Sequence, residues 1–274
     1  MKISIRVLLV VLFCSHLAAA QSPDIVAGRL MGNSKFKEAM DFMAGDHDRV
    51  VKETIQLTEI EAPPFKEAKR GQAFLEMLKQ HGLANVEMDA EGNVMGLRKG
   101  TGDGPLIAVA AHLDTVFPEG TDVKVKQQGT RLSAPGIGDA TRGLAVLLAL
   151  LRAFDAAKVQ TRSDILFIGN VGEEGLGDLR GVKHLFQKGP YKDKLKMFIS
   201  IDGVGSGSSI TNGALGSKRY RVTFKGPGGH SYGAFGLVNP AYALGNAMQK
   251  FSAMKVPSTP KTTFSVGVVG GAHP

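Results

Sequence analysis

The chain has little of several residue types on which whole classes of protein depend. Among its 274 residues there is no tryptophan, there are four tyrosines, and the single cysteine is Cys14. So few aromatic rings, with no basic stripe interleaved with them, argue against a platform that stacks nucleic-acid bases. A lone cysteine leaves no internal disulfide, so stability must come from an apolar core or from a bound metal.

The N-terminus also lacks an apolar run long enough to cross a bilayer, yet it is typical of an exported protein. Two basic residues precede the apolar run 7–13, and small residues at 18–20 follow it. These are the three parts of a secretory signal peptide, and the run is too short for a membrane anchor. We therefore expect residues 1–20 to be removed and the mature protein to be secreted or periplasmic. A lipid on Cys14 is the alternative, but bulky Phe13 stands where a lipidated cysteine needs a small neighbour.

Charge of one sign is not concentrated in any segment. The formal net charge is +8, of which +6 remains after Lys2 and Arg6 leave with the signal peptide. Lysines and arginines are scattered, which indicates solvated surface rather than nucleic-acid contact. With 43% hydrophobic and 21% charged residues, the chain can bury a sizeable core. We therefore expect a folded globular protein with no nucleic-acid partner.

Short apolar runs bounded by turn residues alternate with segments of helical length. The apolar runs predict strands buried on both faces of a sheet, at 106–111, 165–169 and 197–201. Helices are predicted at 36–44, 48–59, 67–81 and 143–157, and a strand pair at 86–88 and 94–98. This alternation predicts an α/β fold with a mostly parallel sheet flanked by helices.

The composition changes after Asp202. Glycines and serines dominate 203–209, which is typical of a linker between domains. Its spaced glycines could instead belong to a dinucleotide fingerprint, but no helix follows directly. The patterns that come next predict the beginning of a smaller α+β domain, with a strand at 218–225, a helix at 239–254 and a strand at 262–269. We expect one domain at 21–210 and a second at 211–274, both incomplete.

Acidic residues and a histidine follow the predicted strands. His112 and Asp114 come after the first buried run, Glu173 and Glu174 after the second, and Asp202 after the third. In open α/β sheets the ligand crevice lies outside the carboxyl ends of the strands, so these side chains can converge there. Convergence of imidazole and carboxylate groups indicates a divalent metal.

His112 and Asp114 stand two residues apart, so at an extended strand end both side chains point to the same side. One can bind a metal while the other fixes its orientation, because a ligating imidazole usually has a carboxylate or carbonyl partner. Asp114 could instead bind a different group. Such a pair taken alone is more often structural, and its place after a buried strand favours the functional interpretation.

Asp139 and Asp202 each have an ordinary structural alternative. Asp139 lies in the glycine-rich loop 136–143, which opens a predicted helix, so it could be the helix N-cap. It could also bridge two cations with its two oxygens, because carboxylates are hard, anionic ligands. Asp202 precedes a glycine, so it could be an ordinary turn residue. It could instead complete a coordination shell.

The pair Glu173 and Glu174 is the most specific of these motifs. The segment is apolar before the pair and glycine-rich after it, so the pair is not the solvated face of a helix. Adjacent carboxylates repel each other unless a cation or a proton separates their roles. One glutamate can therefore bind a metal while the other takes a proton from a water molecule that the metal activates.

Together these motifs resemble the M20 family of metallopeptidases, the co-catalytic zinc exopeptidases and deacylases that include tripeptide aminopeptidase, glutamate carboxypeptidase and aminoacylase. The matching motifs are His112-Leu113-Asp114-Thr115, Gly136 to Gly143, Glu173-Glu174-Gly175, Asp202-Gly203 and Gly228-Gly229-His230-Ser231. They stand in the family's order and spacing over most of the chain. The resemblance implies the zinc-exopeptidase fold and two zinc ions per subunit, for which cobalt or manganese could substitute.

Carried over by position, the resemblance implies that His112 and Asp202 bind one zinc, that Asp139 bridges both, and that Glu174 binds the other. It further implies that Glu173 is the general base, that Asp114 is the partner of His112, and that His230 stabilises the oxyanion in a partner subunit's site. In the family, the smaller domain mediates dimerisation, which predicts a homodimer. A hairpin around 226–229 would look much the same without this role.

The sequence departs from the family pattern in two places. Ala140 follows the bridging aspartate where many relatives have an acidic, amide or methionine residue. The family's last zinc ligand is a histidine in a returning part of the catalytic domain, and His273 does not match that motif. We therefore expect the chain to be an incomplete copy of a longer enzyme.

The predicted function is hydrolysis of an amide bond in a small peptide by a dinuclear zinc site with a glutamate base. One alternative keeps the metals and acts on N-acyl amino acids as a deacylase. A second is a non-catalytic metal-binding or dimerising relative, which the missing ligand favours and the presence of Glu173 disfavours.

Overall fold

The computed structural model describes residues 22–203 and 209–271. The predicted signal peptide at 1–20, the centre of the glycine and serine segment and His273 lie outside the described residues. The chain divides after Ser209 into two compact units, and each is described by itself.

The first unit is built around a five-stranded mixed sheet. Its strands are β1 Ala84–Met88, β2 Val94–Arg98, β3 Leu106–His112, β6 Ile165–Asn170 and β7 Leu195–Ser200. They lie in the order β1-β2-β6-β3-β7. β3 is parallel to both β6 and β7, whereas β2 is antiparallel to β1 and β6. Four strands therefore run in one direction and β2 alone runs in the other, which confirms the predicted mostly parallel sheet.

Helices cover both faces of the sheet. Those that contribute to the first unit are α1 Pro23–Gly32, α2 Ser34–Gly45, α3 His47–Thr58, α4 Ala68–Lys79, α5 Arg142–Ala156 and α6 Arg180–Gln187. Apolar side chains of α3, α4 and α5 pack on one face against alternate residues of the central strands, such as Val109 and Phe167. The other face packs on Leu185 of α6 and on Tyr191. α5 is buried along most of its length, as its nearly continuous apolar sequence predicts.

The central strands are buried on both faces, but β7 is not. All six residues of β6 are buried, and so are the last five of β3. In β7, Met197 is 51% exposed and Ile199 is 46% exposed. The prediction that this run is buried on both faces is therefore wrong. β7 pairs only with β3 in the described sheet, and an edge strand lacks the neighbour and the helix that bury a central strand.

Three elements of the first unit have no counterpart in the sequence prediction. They are α1, α6 and a separate hairpin of β4 Lys126–Gln128 with β5 Arg131–Ser133. In the described residues of α1 no side chain is buried, and α6 buries only Gly181 and Leu185. Within the described ranges, no helix combines the length and the apolar character needed to cross a membrane.

The second unit contains the predicted helix without the predicted strands. α7 Pro240–Ser252 begins after Asn239, whose side chain accepts a hydrogen bond from the amide of Ala241. The segments 218–225 and 262–269 are irregular, so the two strand predictions are wrong. Alternation alone does not make a strand, because each strand needs a hydrogen-bonding neighbour, and the described part of this unit offers none.

Candidate metal centre

Most of the predicted site residues lie at or just beyond the carboxyl ends of the three parallel strands. β3 ends at His112, β6 at Asn170 and β7 at Ser200. The chain continues from these ends into Asp114, the Glu173 and Glu174 pair, and Asp202. Because the three strands are parallel neighbours, residues separated by up to 90 positions in sequence meet at one edge of the sheet.

The imidazole of His112 is the centre of the cluster. Its Nε2 lies 2.8 Å from Oδ1 of Asp139 and 3.5 Å from Oδ1 of Asp202. Its Nδ1 lies 2.9 Å from the backbone carbonyl oxygen of Asp114. That contact fixes the ring orientation, because Nδ1 bears the proton and donates it to the carbonyl whenever Nε2 is free to bind a metal. This orientation leaves Nε2 of His112 facing the carboxylates, where it could bind a metal.

The pKa of His112 reflects the negative charge around it. Burial by itself lowers the pKa, but the carboxylates of Asp114 and Asp202 outweigh burial and raise it to about 11. Without a cation in the cluster, His112 is therefore an imidazolium at neutral pH. A metal ion bound at Nε2 would replace this proton and would neutralise the carboxylates in its place.

Asp114 holds the glutamate loop rather than the imidazole. Its carboxylate is buried and accepts hydrogen bonds from the backbone amides of Glu173 at 3.2 Å and Glu174 at 2.8 Å. Its Oδ1 lies 3.7 Å from Nδ1 of His112, farther than its own backbone carbonyl oxygen. Burial raises the pKa of Asp114, but the contacts with His112 and the two amides outweigh burial and lower it. Asp114 therefore joins the end of β3 to the loop after β6.

Asp139 is not the N-cap of α5. It lies in the wide turn Ile137–Thr141, where its backbone is extended with φ −135° and ψ 96°, and α5 begins only at Arg142. Gly136 opens this turn with φ +76°, a left-handed conformation that favours glycine. A Cβ at residue 136 would stand 2.5 Å from a methyl group of Thr115. The turn thus holds the Asp139 carboxylate out of the helix and against His112.

Glu174 completes a set of donors for a metal ion. One donor atom from each of His112, Asp139 and Glu174 lies within 4.8 Å of the others. Burial raises the pKa of Glu174, and the charge of Glu173 raises it further. An imidazole with several carboxylates is a donor set that zinc accepts, and a cation is what such mutually repelling carboxylates require. The residues present fit a divalent metal.

Glu173 shares the cluster with its neighbour. Burial raises the pKa of its carboxyl group, the charge of His112 lowers it, and the charges of Asp202, Asp114 and Asp139 raise it again. The net direction is upward. A carboxylate whose pKa is raised toward neutrality is a better proton acceptor, as a general base requires.

Asp202 is held at the open side of the cluster. The amide of Gly203 donates to its Oδ1 at 2.5 Å, and Nη2 of Arg142 donates to the carbonyl of Gly203 at 2.7 Å. The negative charge of Asp202 is stabilised chiefly by His112, and its pKa is lowered. Arg142 thereby ties the first residue of α5 to the turn after β7.

His230, the remaining predicted site residue, belongs to the second unit. Its Nδ1 accepts from the backbone amides of Tyr232 and Gly233, both at 3.3 Å, and the side chain is exposed. These contacts shape the turn that follows Gly229, which has a φ of +148°. Its role toward a partner subunit stays a prediction.

Two buried polar residues that brace the site were not found from the sequence. Arg70 donates to the carbonyl of Leu113, and Asn93 accepts from the amide of Val171 while it donates to the carbonyl of Gly181. Asn93 thus clamps both ends of the loop that carries the two glutamates. In the sequence it is only the last residue of a hairpin turn, and no pattern distinguishes it from a solvated one.

Gly143 is required where α5 passes the end of β7. A Cβ at this position would stand 2.7 Å from the carbonyl oxygen of Ile201 and 3.0 Å from Cβ of Ala111. We expect Gly143→Ala to push the segment before Asp202 outward and to lower the free energy of unfolding by about 1–3 kcal/mol. Metal affinity should fall as well, which a zinc titration beside a denaturant titration measures.

The control for this substitution is Gly28→Ala in α1, where a Cβ would meet no atom within 4 Å. Alanine there should raise helix stability by up to about 1 kcal/mol. Unchanged zinc affinity in the Gly143→Ala variant would show that Asp202 does not depend on this close approach.

Comparisons with known proteins support a hydrolase of the peptidase type, whereas membership of the M20 family in particular stays a prediction. Residues 93–224 match the family model of peptidase family M28. A protein named as a LysW-lysine/LysW-ornithine hydrolase of Pyrococcus abyssi is 34% identical over 128 residues, which are 47% of this chain and 34% of that protein. The succinyl-diaminopimelate desuccinylase of Leptothrix cholodnii is 29% identical over 160 residues, 55% of this chain and 41% of that protein. These relatives support a hydrolytic enzyme of the zinc-peptidase type.

The comparison with solved structures concerns the architecture alone. The structure of the dipeptidase Dug1p from Saccharomyces cerevisiae superposes with a TM-score of 0.58 at 16% identity, over 81% of this chain and 53% of that one. This likeness confirms the zinc-exopeptidase-like fold class. The chain spans less than half of the length of the curated relatives named here.

Proposed function

We propose that the protein is a dinuclear zinc hydrolase of the M20 type that cleaves an amide bond in small peptides. One observation carries the proposal: donor atoms of His112, Asp139 and Glu174 lie within 4.8 Å of one another, and Asp202 lies 3.5 Å from the same imidazole nitrogen. Three carboxylates gathered around one imidazole repel one another, and divalent cations would balance their charge.

Each residue has one task in this proposal. His112 and Asp202 would hold one zinc, Glu174 would hold the second, and Asp139 would be a ligand of both. Bound zinc supplies Lewis-acid polarisation of the scissile carbonyl and activates the attacking water. The half-exposed side chains of Asp139 and Asp202 form the solvent-facing rim, through which a substrate carbonyl reaches the cluster.

Glu173 is the proton carrier. It accepts the proton of the attacking water and delivers it to the leaving amine nitrogen, so that the amide bond breaks into a carboxylate and an amine. Its raised pKa supports this task, because the group must release the proton as readily as it takes it. Asp114 keeps the Glu173 backbone in place through the amide contact at 3.2 Å.

A deacylase of N-acyl amino acids is the second candidate. It is supported by the similarity to the desuccinylase of Leptothrix cholodnii, a protein named for removing an acyl group. Both candidates use the same cluster and the same proton carrier. They differ in whether an amino acid or a simple acyl group lies on the carbonyl side of the cleaved bond.

We also propose that the protein is exported and acts as a homodimer through the unit that begins at Ile210. The signal-like segment at 1–20 supports export, and the motif around His230 supports a role for the second unit at a partner's site. Size-exclusion chromatography with light scattering of the mature protein tests the dimer, and N-terminal sequencing after secretion tests the cleavage.

Metal removal tests the hydrolase directly. The full-length protein is dialysed against a chelator and assayed on dipeptides, tripeptides and N-acetyl and N-succinyl amino acids. We expect activity to fall to background and to return with two equivalents of Zn²⁺ per chain, with Co²⁺ and Mn²⁺ as alternatives. Two bound metals without turnover on any of these substrates would favour the non-catalytic metal-binding relative. Activity that survives complete metal removal would exclude the proposed mechanism.

A further inference from the structure

Arg70 is a charged residue in an apolar environment. It lies in α4 and is 0% exposed. Its side chain is among the largest that are fully buried in the described structure. Burial lowers the pKa of its guanidinium to about 10, while the charge of Asp114 raises it. Burying a cation is costly unless the surroundings satisfy it, so a buried arginine at this place calls for a reason.

The hydrogen bonds of Arg70 all go to backbone carbonyls. Nε donates to Leu57 and to Ile60 at 3.0 Å each, Nη2 donates to Ile60 at 2.6 Å, and Nη1 donates to Leu113 at 2.6 Å. Leu57 lies in the last turn of α3 and Ile60 just beyond the end of the helix, where the helix dipole favours a cation. Arg70 is therefore anchored on one side to α3 and reaches on the other side to the end of β3.

The Leu113 peptide that Arg70 grips stands between the two residues at the centre of the cluster. The amide of Leu113 donates to the carbonyl of Asn170 at 2.7 Å, so both polar atoms of this residue are fixed. His112 precedes it and Asp114 follows it. The orientation of Leu113 thus sets where the imidazole points and where the carboxylate meets the glutamate amides.

We propose that Arg70 is a positioning residue of the metal centre. By holding the Leu113 carbonyl, it fixes the backbone that presents the His112 ligand. Its charge also balances the buried carboxylate of Asp114, which in turn holds the loop of Glu173 and Glu174. The inference rests on the proposed function, since it assigns a part in the same site.

A purely structural arginine would behave differently, and the chain contains one for comparison. Arg152 in α5 is 7% exposed and donates to Asp46 at 2.6 and 2.8 Å and to Glu53 at 3.0 Å. These partners lie on the helical layer, and none of them belongs to the metal cluster. Removing Arg152 deletes a buried cation of similar size without touching the Leu113 peptide.

The experiment compares Arg70→Met with Arg152→Met in the full-length protein. Both variants should melt at lower temperature than the unaltered protein, because both lose a buried cation and its hydrogen bonds. Zinc affinity is measured by competition with a chelator, at a temperature where circular dichroism shows each protein folded. We expect Arg70→Met to weaken zinc binding by about 10–100-fold and Arg152→Met to change it less than twofold.

Two further readouts separate positioning from general stability. The visible spectrum of Co²⁺ in the site should change in the Arg70 variant and stay unaltered in the Arg152 variant, since it reports ligand geometry. Hydrogen exchange at the amides of Glu173 and Glu174 should accelerate only when Arg70 is lost. Arg70→Lys, which keeps the charge but cannot span α3 and Leu113 together, should weaken zinc binding to an intermediate extent.

Each outcome decides the matter. Zinc affinity and Co²⁺ spectra equal to those of the unaltered protein in both Arg70 variants would overturn the inference, as would an equal loss in Arg152→Met. Failure of even Arg70→Lys to fold would make Arg70 a residue of the core and would overturn it too. If the unaltered protein binds no metal at all, it is the proposed function that fails.

Discussion

Replacing Glu173 with glutamine is expected to lower turnover by about 10²–10⁴-fold and to leave the metal content unchanged. Glutamine keeps the size of the side chain and the backbone amide that donates to Asp114. It cannot accept the proton of the attacking water, because a neutral amide has almost no basicity. Steady-state kinetics and metal analysis on the same preparation measure the two effects.

The matched comparison is Glu174→Gln, one residue further along the same loop. Glu174 is assigned to the metal, so this variant should lose bound zinc together with activity. An exposed glutamate, Glu76, serves as the neutral control through Glu76→Gln. Turnover of the Glu173→Gln variant within a few fold of the unaltered protein would place the proton carrier elsewhere.

Replacing Asp139 with asparagine should have the largest effect on metal binding. Asp139 lies 2.8 Å from Nε2 of His112 and is assigned to both ions, so a neutral side chain there weakens both sites at once. Because the loss of a mere partner of a ligand costs about 10–100-fold in affinity, loss of the shared ligand should cost more than about 100-fold. Inductively coupled plasma analysis should find less than one zinc per chain after dialysis, and activity should disappear.

Asp155→Asn is the control for this substitution. Asp155 lies at the end of α5 and its side chain is exposed to nearly the same extent as that of Asp139, but its ion pair is with Arg98, away from the cluster. Its removal should change neither metal content nor activity. Two zinc ions retained by the Asp139→Asn variant would contradict the bridging assignment.

The central part of the fold follows from the sequence because burial dominates it. β3 and β6 are continuous apolar runs and α5 is nearly all apolar, so in each case the pattern has one physical solution. The prediction is wrong where the structure of a segment depends on which strands and helices lie next to it. β7 has the same apolar pattern as β6 yet lies at the edge of the sheet, and the alternating segment 218–225 pairs with no strand among the described residues.

Which residues of the candidate site lie close together could be predicted from the sequence, but their hydrogen bonds could not. The residue types and their positions after strands or in a glycine-rich loop predict that His112, Asp139, Glu174 and Asp202 converge, and in the structure they lie close together. The contact of Asp114 differs from the expected one, because the ring nitrogen already has the Asp114 carbonyl, which frees the carboxylate for the glutamate amides. Arg70 follows Lys69 in a helix and reads as a solvated charge, since no sequence pattern marks a side chain that grips backbone carbonyls.

The position of β7 at the edge of the described sheet would give metal ions at the proposed centre a second role. Asp202 follows the site strand that pairs only with β3, and Met197 and Ile199 leave the outer surface of that strand exposed. An exposed edge strand can pair with another chain, which is a route to aggregation. A cation shared between His112 and Asp202 would join the end of this strand to the centre of the sheet. Its loss would then loosen the edge strand first, so metal binding would also protect the protein from aggregation.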